Sequence, residues 1–157
     1  MGCRNELVSR ALADLRNLSR SLNGNFILEN GLVRSVEREL DVIEKSGIIQ
    51  CVFSHVGEYP RLSPQHEIIV FRCVQEALNN AVKHSQCTAL NVEISTIENS
   101  VSIVVTDNGK GLSASDNEGI GMNSMKQRIA TLGGQMQVKS SANGTSVLFQ
   151  LPNQTQT

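Results

Sequence analysis

The chain of 157 residues has no tryptophan, one tyrosine and four phenylalanines, which leaves little aromatic surface for stacking nucleic-acid bases. Net charge is also nearly absent: 14 basic against 15 acidic residues give −1. A protein working on nucleic acid by bulk electrostatics is excluded on that count. No apolar run approaches the length of a membrane span and no secretory leader opens the chain, so this piece is expected to be soluble, without membrane contact. The Met-Gly-Cys start carries Glu6 where a myristoylation signal wants Ser or Thr, and it reads as a truncation end. Cys3, Cys51, Cys73 and Cys87 show neither close pairing nor finger spacing, as expected of reduced structural thiols in a cytosolic protein. His55, His66 and His84 are not spaced as a zinc site. The phosphate-loop pattern GxxxxGK[ST] does not occur.

What the chain does contain is the segment QEALNNAVKHS, residues 75–85. On a helix, Glu76, Asn80, Lys83 and His84 fall on one polar stripe, while Val70, Val74, Ala77, Leu78 and Ala81 fall on the opposite one and would face a core. A carboxylate, an amide, an ammonium and an imidazole grouped in this way could hold a metal ion and a phosphate chain. Taken alone, the segment is equally an amphipathic helix with a solvated polar side. Further along come TDNGKG at 106–111, GIGM at 119–122 and NGTS at 143–146, each by itself no more than a turn signal.

In this order the four segments resemble the N, G1, G2 and G3 boxes of the ATP-binding domain of sensor histidine kinases, the Bergerat-type fold shared with gyrase-type topoisomerases and heat-shock chaperones. KHS at 83–85 and GMNSMKQRIATLGG at 121–134 look most like the nitrate-sensor and desaturase-regulator branch. The resemblance covers roughly residues 48–152. It implies Mg-ATP as substrate and transfer of its γ-phosphoryl group to a histidine on an upstream helical domain. It also implies a response regulator as partner, a homodimeric full-length protein, a cytoplasmic location for this piece, and a parent that can be membrane-anchored. Two other readings share the pocket: an anti-sigma-type serine kinase and an ATP-hydrolysing conformational switch.

The resemblance also assigns roles. Asn80, four residues after Glu76 and three before Lys83, matches the asparagine that ligates Mg²⁺; Asn79 does not. Glu76 matches the carboxylate that orients or deprotonates the attacking nucleophile. Lys83 would neutralise phosphate charge, and His84 would touch ribose or phosphate. Asp107 matches the carboxylate that accepts the adenine amino group; guanine presents a carbonyl there, and two facing acceptors leave both unpaired. Gly109 and Gly111 would let the backbone pass close to the base. Gly119, Ile120, Gly121 and Met122 open a helix whose first amides suit phosphates. Thr145, with Gly144, matches the last box, where packing is the simpler role, and Arg128 resembles a family position although an exposed helix arginine accounts for it more simply. Residues 112–118, with no aromatic F box, would form a short lid.

Periodicity outlines the remainder. Val8, Ala11, Leu15, Leu18 and Leu22 recur at three- and four-residue spacings, as in a helix of a dimerisation bundle. A second helix is expected over 32–46, launched after Gly31 with Val33, Val36, Leu40 and Ile43 buried, then a strand at 48–53. Ser63-Pro64 is a helix start, followed by strands around 90–94 and 101–105, a helix through Met122, Met125, Ile129 and Leu132, and a hairpin about Asn143-Gly144. The expected class is α+β, a two-layer sandwich with a mixed, mostly antiparallel sheet covered on one face by helices. The expected division is a dimerisation-helix remnant at 1–24, an ATP-binding domain at 25–152 and a polar tail at 153–157.

Overall fold

The structure is a computed structural model that describes residues 26–113 and 119–153. The seam at 5–22, most of the expected lid and the end of the tail lie outside the described residues. Helix α1 covers 26–44, and the elements that follow are β1 (Gln50–Gly57), α2 (Pro64–His84), β2 (Ala89–Ile97), β3 (Ser100–Asp107), α3 (Ile120–Thr131), β4 (Gln135–Ser141) and β5 (Gly144–Pro152). The sheet runs β1-β2-β3-β5-β4. β1 is parallel to β2 and every other neighbour is antiparallel, the mixed and mostly antiparallel arrangement expected.

Strand alternation decides which face the helices cover. Leu90, Val92 and Ile94 of β2, Val101, Ile103 and Val105 of β3, and Val147, Phe149 and Leu151 of β5 are all buried. The intervening Asn91, Glu93 and Gln150 are exposed on the bare face. Against the buried rows pack Val70, Val74, Ala77, Leu78 and Ala81 of α2, the stripe read from the sequence, together with Val33, Val36, Leu40 and Ile43 of α1 and Met122, Met125 and Ile129 of α3. Each valine, leucine, isoleucine, phenylalanine or methionine among them contributes about 1.5–3 kcal/mol on burial.

Two local expectations need correction. Helical structure does not wait for Gly31: α1 is already helical at 26, and Gly31, with φ +83°, makes a kink inside it. Arg38 lies over the Phe26 ring at 4.3 Å, spanning that kink. The Leu32 backbone N–H beyond it donates to Glu67 of α2, whose carboxyl is pushed up by burial and partly brought back by that bond. The first strand runs later than 48–53, because pairing with β2 from Gln50↔Ala89 to Gly57↔Thr96 carries it through His55 and Val56. Only its inward set, Cys51 and Phe53, packs on the core, while Val52 and Val56 are exposed, so no simple alternation marked its end.

Candidate nucleotide site

Helix α2 starts where Ser63 accepts the His66 backbone N–H at 3.2 Å with Pro64 at the first position, a cap that sets the register of everything downstream. Twelve residues on from Pro64, that register brings Glu76, and then Asn80 and His84 at successive turns, to the wall of a cavity of about 200 Å³. Gly119, Gly121 and Met122, at and beside the start of α3, form the facing wall, and Leu112 closes one side. Gly121 is packed hard on Glu76: a β-carbon there would lie 2.8 Å from Glu76 Oε1. Gly119 occupies the N-cap position of α3 and makes no side-chain cap, and the first turn of that helix borders the cavity through Gly121 and Met122. Ile120 is the first residue of that helix.

Asp107 ends β3, is 8% exposed, and accepts the Gly109 backbone N–H on Oδ1 at 2.8 Å. With Thr145, its partner across the β3–β5 ladder, it lines a second hollow of about 280 Å³ beside the β4–β5 turn. Ser140 links the two hollows, since its hydroxyl accepts the Leu112 N–H at 2.7 Å and lies 3.1 Å from the Thr145 hydroxyl.

The structure therefore brings Glu76, Asn80, His84, Gly119, Gly121 and Met122 together, sets Asp107 and Thr145 in the linked hollow, and leaves Lys83, Gly109 and Gly111 out of both linings. Lys83 and His84 form the basic last turn of α2, which also suits the helix dipole. What the two glycines approach is protein: a β-carbon on Gly109 would collide with Ser85, and one on Gly111 with the Ser141 carbonyl. Asn79 is half-buried and lines neither hollow.

Sequence reasoning missed four supporting residues. Asn108 accepts the N–H groups of Thr88 and Ala89 at 2.9 and 3.0 Å and donates to the Thr88 hydroxyl at 3.0 Å, fastening the loop to the start of β2. Ser85 accepts the Lys110 N–H on its carbonyl at 2.8 Å and donates its hydroxyl to Ala81 at 2.6 Å. Ser140 and Leu112 complete the wall. An Asn before Gly signals a local turn, but partners twenty residues away leave no local trace. Cys73 and Cys87 are buried. Burial pushes the Cys73 thiol up to about 11, against the lowering charge of Arg128, and raises the Cys87 thiol as well, so both remain protonated core residues, as read from their spacing.

Comparison with known proteins identifies the family and the fold. Residues 65–155 match the family model described as histidine kinase-, DNA gyrase B- and HSP90-like ATPase. The signal transduction histidine-protein kinase/phosphatase DegS of Brevibacillus brevis is 29% identical over 94% of this chain and 39% of its own length. The oxygen sensor histidine kinase NreB of Staphylococcus carnosus is 30% identical over 93% of this chain and 43% of its own, in keeping with the branch to which KHS and GMNSMKQRIATLGG point. The chain thus spans less than half the length of these relatives. The histidine kinase domain of the Erythrobacter litoralis EL346 blue-light activated histidine kinase superposes with a TM-score of 0.67 at 22% identity, covering 78% of this chain and 61% of that one; at that identity the likeness is one of fold.

Proposed function

This chain belongs to the histidine kinase-, DNA gyrase B- and HSP90-like ATPase family, and on that premise we propose that it is the ATP-binding catalytic domain of a two-component sensor histidine kinase. The observation that carries the proposal is the cavity in which Glu76, Asn80 and His84 of α2 face Gly119 and Gly121 at the start of α3. An amide and an imidazole on one wall and a helix start on the other suit a polyphosphate, with the Glu76 carboxylate set off from its charge by a bound cation.

The roles are those that the matching family positions imply. The Asp107 carboxylate, held by the Gly109 N–H, accepts the exocyclic amino group of adenine. The first turn of α3 takes the phosphates, and Lys83, beside His84 on the last turn of α2 though outside the lining, adds a mobile positive charge. Among the described residues no cluster of three His, Cys, Asp or Glu could hold a metal by itself. The oxygen donors of Asn80 and Glu76 fit instead a hard cation carried largely by phosphates and water. Mg²⁺ would supply positive charge against the triphosphate, with Asn80 as its protein ligand. In the transfer, a bond forms from the acceptor imidazole nitrogen to the γ-phosphorus as the bond to the β,γ-bridging oxygen breaks. ADP leaves with that electron pair, and the imidazole proton passes to a carboxylate, of which Glu76 is the one this chain presents.

The partners on this reading are a histidine-bearing helical domain, in a homodimeric full-length protein, and a response regulator. Residues 1–24 are read as the end of that helical domain and 25–152 as the catalytic one. No described helix is long and apolar enough to cross a membrane, and we place this part of the protein in the cytoplasm.

Calorimetric titration with ATP and GTP, each with and without Mg²⁺, tests the proposal. ATP is expected to bind in a Mg²⁺-dependent way and GTP far more weakly; equal affinities would overturn it. Incubation with γ-labelled ATP should leave the chain itself free of acid-labile, base-stable label, since His84 is in the pocket wall and His55 and His66 lie in no acceptor-like segment. Label should appear once the histidine-bearing helical domain is supplied.

A further inference from the structure

Strand β1 is one edge of the sheet, bonded in it to β2 alone. Gln50 gives its backbone N–H to the Thr88 carbonyl at 2.9 Å, so the alternation of a parallel ladder turns the backbone groups of Phe53 and His55 away from β2. They point to the side from which Glu44 reaches the Cys51 N–H at 3.4 Å. An edge of this kind is a template for another strand unless something guards it. The sequence QCVFSHVG carries no charged side chain and no proline, and it pairs with β2 without a bulge. The opposite edge, β4, has Lys139. Of the large apolar side chains left exposed among the described residues, all except Leu28 lie on β1, beside its ends or at the adjoining end of β2: Ile48, Val52, Val56, Tyr59 and Ile97. Val52 and Val56, 60% and 52% exposed, stand on the bare face of the sheet to either side of Ser54.

We propose that β1 pairs antiparallel with β1 of a second copy of this chain, about a two-fold axis at Ser54, joining the two five-stranded sheets into one. The register argues for a second copy over any other strand. With Ser54 opposite the partner's Ser54, Val52 meets the partner's Val56 and Val56 meets the partner's Val52, so the apolar groups of the strand match themselves. In the same register Phe53 and the partner's His55 exchange both backbone bonds, and so do His55 and the partner's Phe53. An axis at Phe53 or His55 would instead set one valine against Ser54 and the other against Gln50 or Glu58. Pairing of β1 on β4 would run on into a filament, whereas β1 on β1 closes. The nucleotide cavity is walled by α2 and α3 on the covered face, so the pairing leaves it open, and the inference stands apart from what that cavity binds.

Sedimentation of the full chain across concentrations, followed by cross-linking, tests this. A weak, concentration-dependent dimer is expected, since a single strand pair falls among the small, transient contacts. Val52→Lys changes an exposed position and should fold and bind ATP as wild type does, while weakening the dimer at least about tenfold. The register is read with cysteines placed in a Cys3→Ser, Cys51→Ser background. Ser54→Cys should give a disulfide-linked dimer on mild oxidation, because facing residues of a non-hydrogen-bonded pair stand about 4.5 Å apart at Cα, within disulfide reach. Val52→Cys and Val56→Cys should cross-link when mixed and not singly. A wild-type chain that stays monomeric at about 1 mM overturns the inference. So does a dimer unchanged by Val52→Lys, which would place the contact elsewhere, such as at the seam of residues 5–22. Cross-linking of Val52→Cys by itself would show another register and overturn it too. ATP binding, measured alongside, bears on the kinase reading alone.

Discussion

On the side of Asp107, the loop that follows β3 is tied down by Asn108 to the start of β2, by Lys110 to the end of α2 and by Leu112 to β4, whereas on the side of Gly119 the chain enters α3 with no side-chain cap at all. The two hollows, joined through Ser140, thus follow different physics. The Asp107 side is pre-organised: its loop is hydrogen-bonded within the protein, so on the proposed reading an adenine would meet an acceptor already in place and need little reordering to bind. The Gly119 wall sets the start of α3 beside the cavity, where on the proposed reading its first-turn amides would meet an anion. Selectivity for the base should therefore be sensitive to the geometry of the tethers, and affinity for the phosphates to charge and metal.

That contrast can be broken most severely at Gly109. Valine there would drive its side chain into Ser85, and because backbone as well as side chain is in the way, we expect a loss of about 3 kcal/mol in folding stability, visible as a much lower Tm in thermal melts. A Gly109→Val protein as stable as wild type would show that the loop can detach from α2 without consequence. Next comes Asp107→Asn, which preserves volume and an oxygen able to accept the Gly109 N–H, yet turns one acceptor into a donor. ATP should bind at least about a hundredfold more weakly, roughly 2.7 kcal/mol, with the melting curve little changed. Calorimetry finding ATP still preferred over GTP by the wild-type margin would remove Asp107 from base recognition.

The phosphate wall responds more gently. Asn80→Ala should cost about tenfold to thirtyfold in ATP affinity with Mg²⁺ and nothing in EDTA, while Asn79→Ala, outside both hollows, should change either value less than about threefold. Should the two substitutions behave alike, the assignment of Asn80 is lost. Gly121→Ala is the mildest change: its β-carbon meets only the far end of the flexible Glu76 side chain, which can swing aside. Nucleotide affinity should fall by no more than about threefold, while phosphoryl transfer to a supplied helical domain drops about tenfold because Glu76 is displaced. An unchanged transfer rate would argue that Glu76 has no part in it.

Much of this was legible before any coordinates, and the reasons are local. The apolar stripe of α2 needs only a period of 3.6 residues, its start only Ser63 and Pro64, and the strands Ala89–Ile97 and Ser100–Asp107 only alternation around a turn at Glu98-Asn99. Where the sequence was misread, the determinant was distant. A helix is expected to begin only after Gly31, yet the chain is helical on both sides of it, with the Leu32 N–H on Glu67 beyond it and Arg38 over the Phe26 ring spanning it. β1 continues past Phe53 because β2 offers it partners.

The candidate site divides along the same line. Spacing within one helix places Glu76, Asn80 and His84 on a single stripe, and sets Asn79 apart, because helix geometry converts sequence distance directly into direction in space. No spacing could say that Gly121 would abut Glu76, that Gly109 and Gly111 are packed against Ser85 and Ser141 rather than left open, or that Ser140 joins the Asp107 hollow to the one beneath α3. Those are contacts between elements far apart in the chain, created by how the helices settle on the sheet, and packing of that kind is a property of the whole fold that no segment carries on its own.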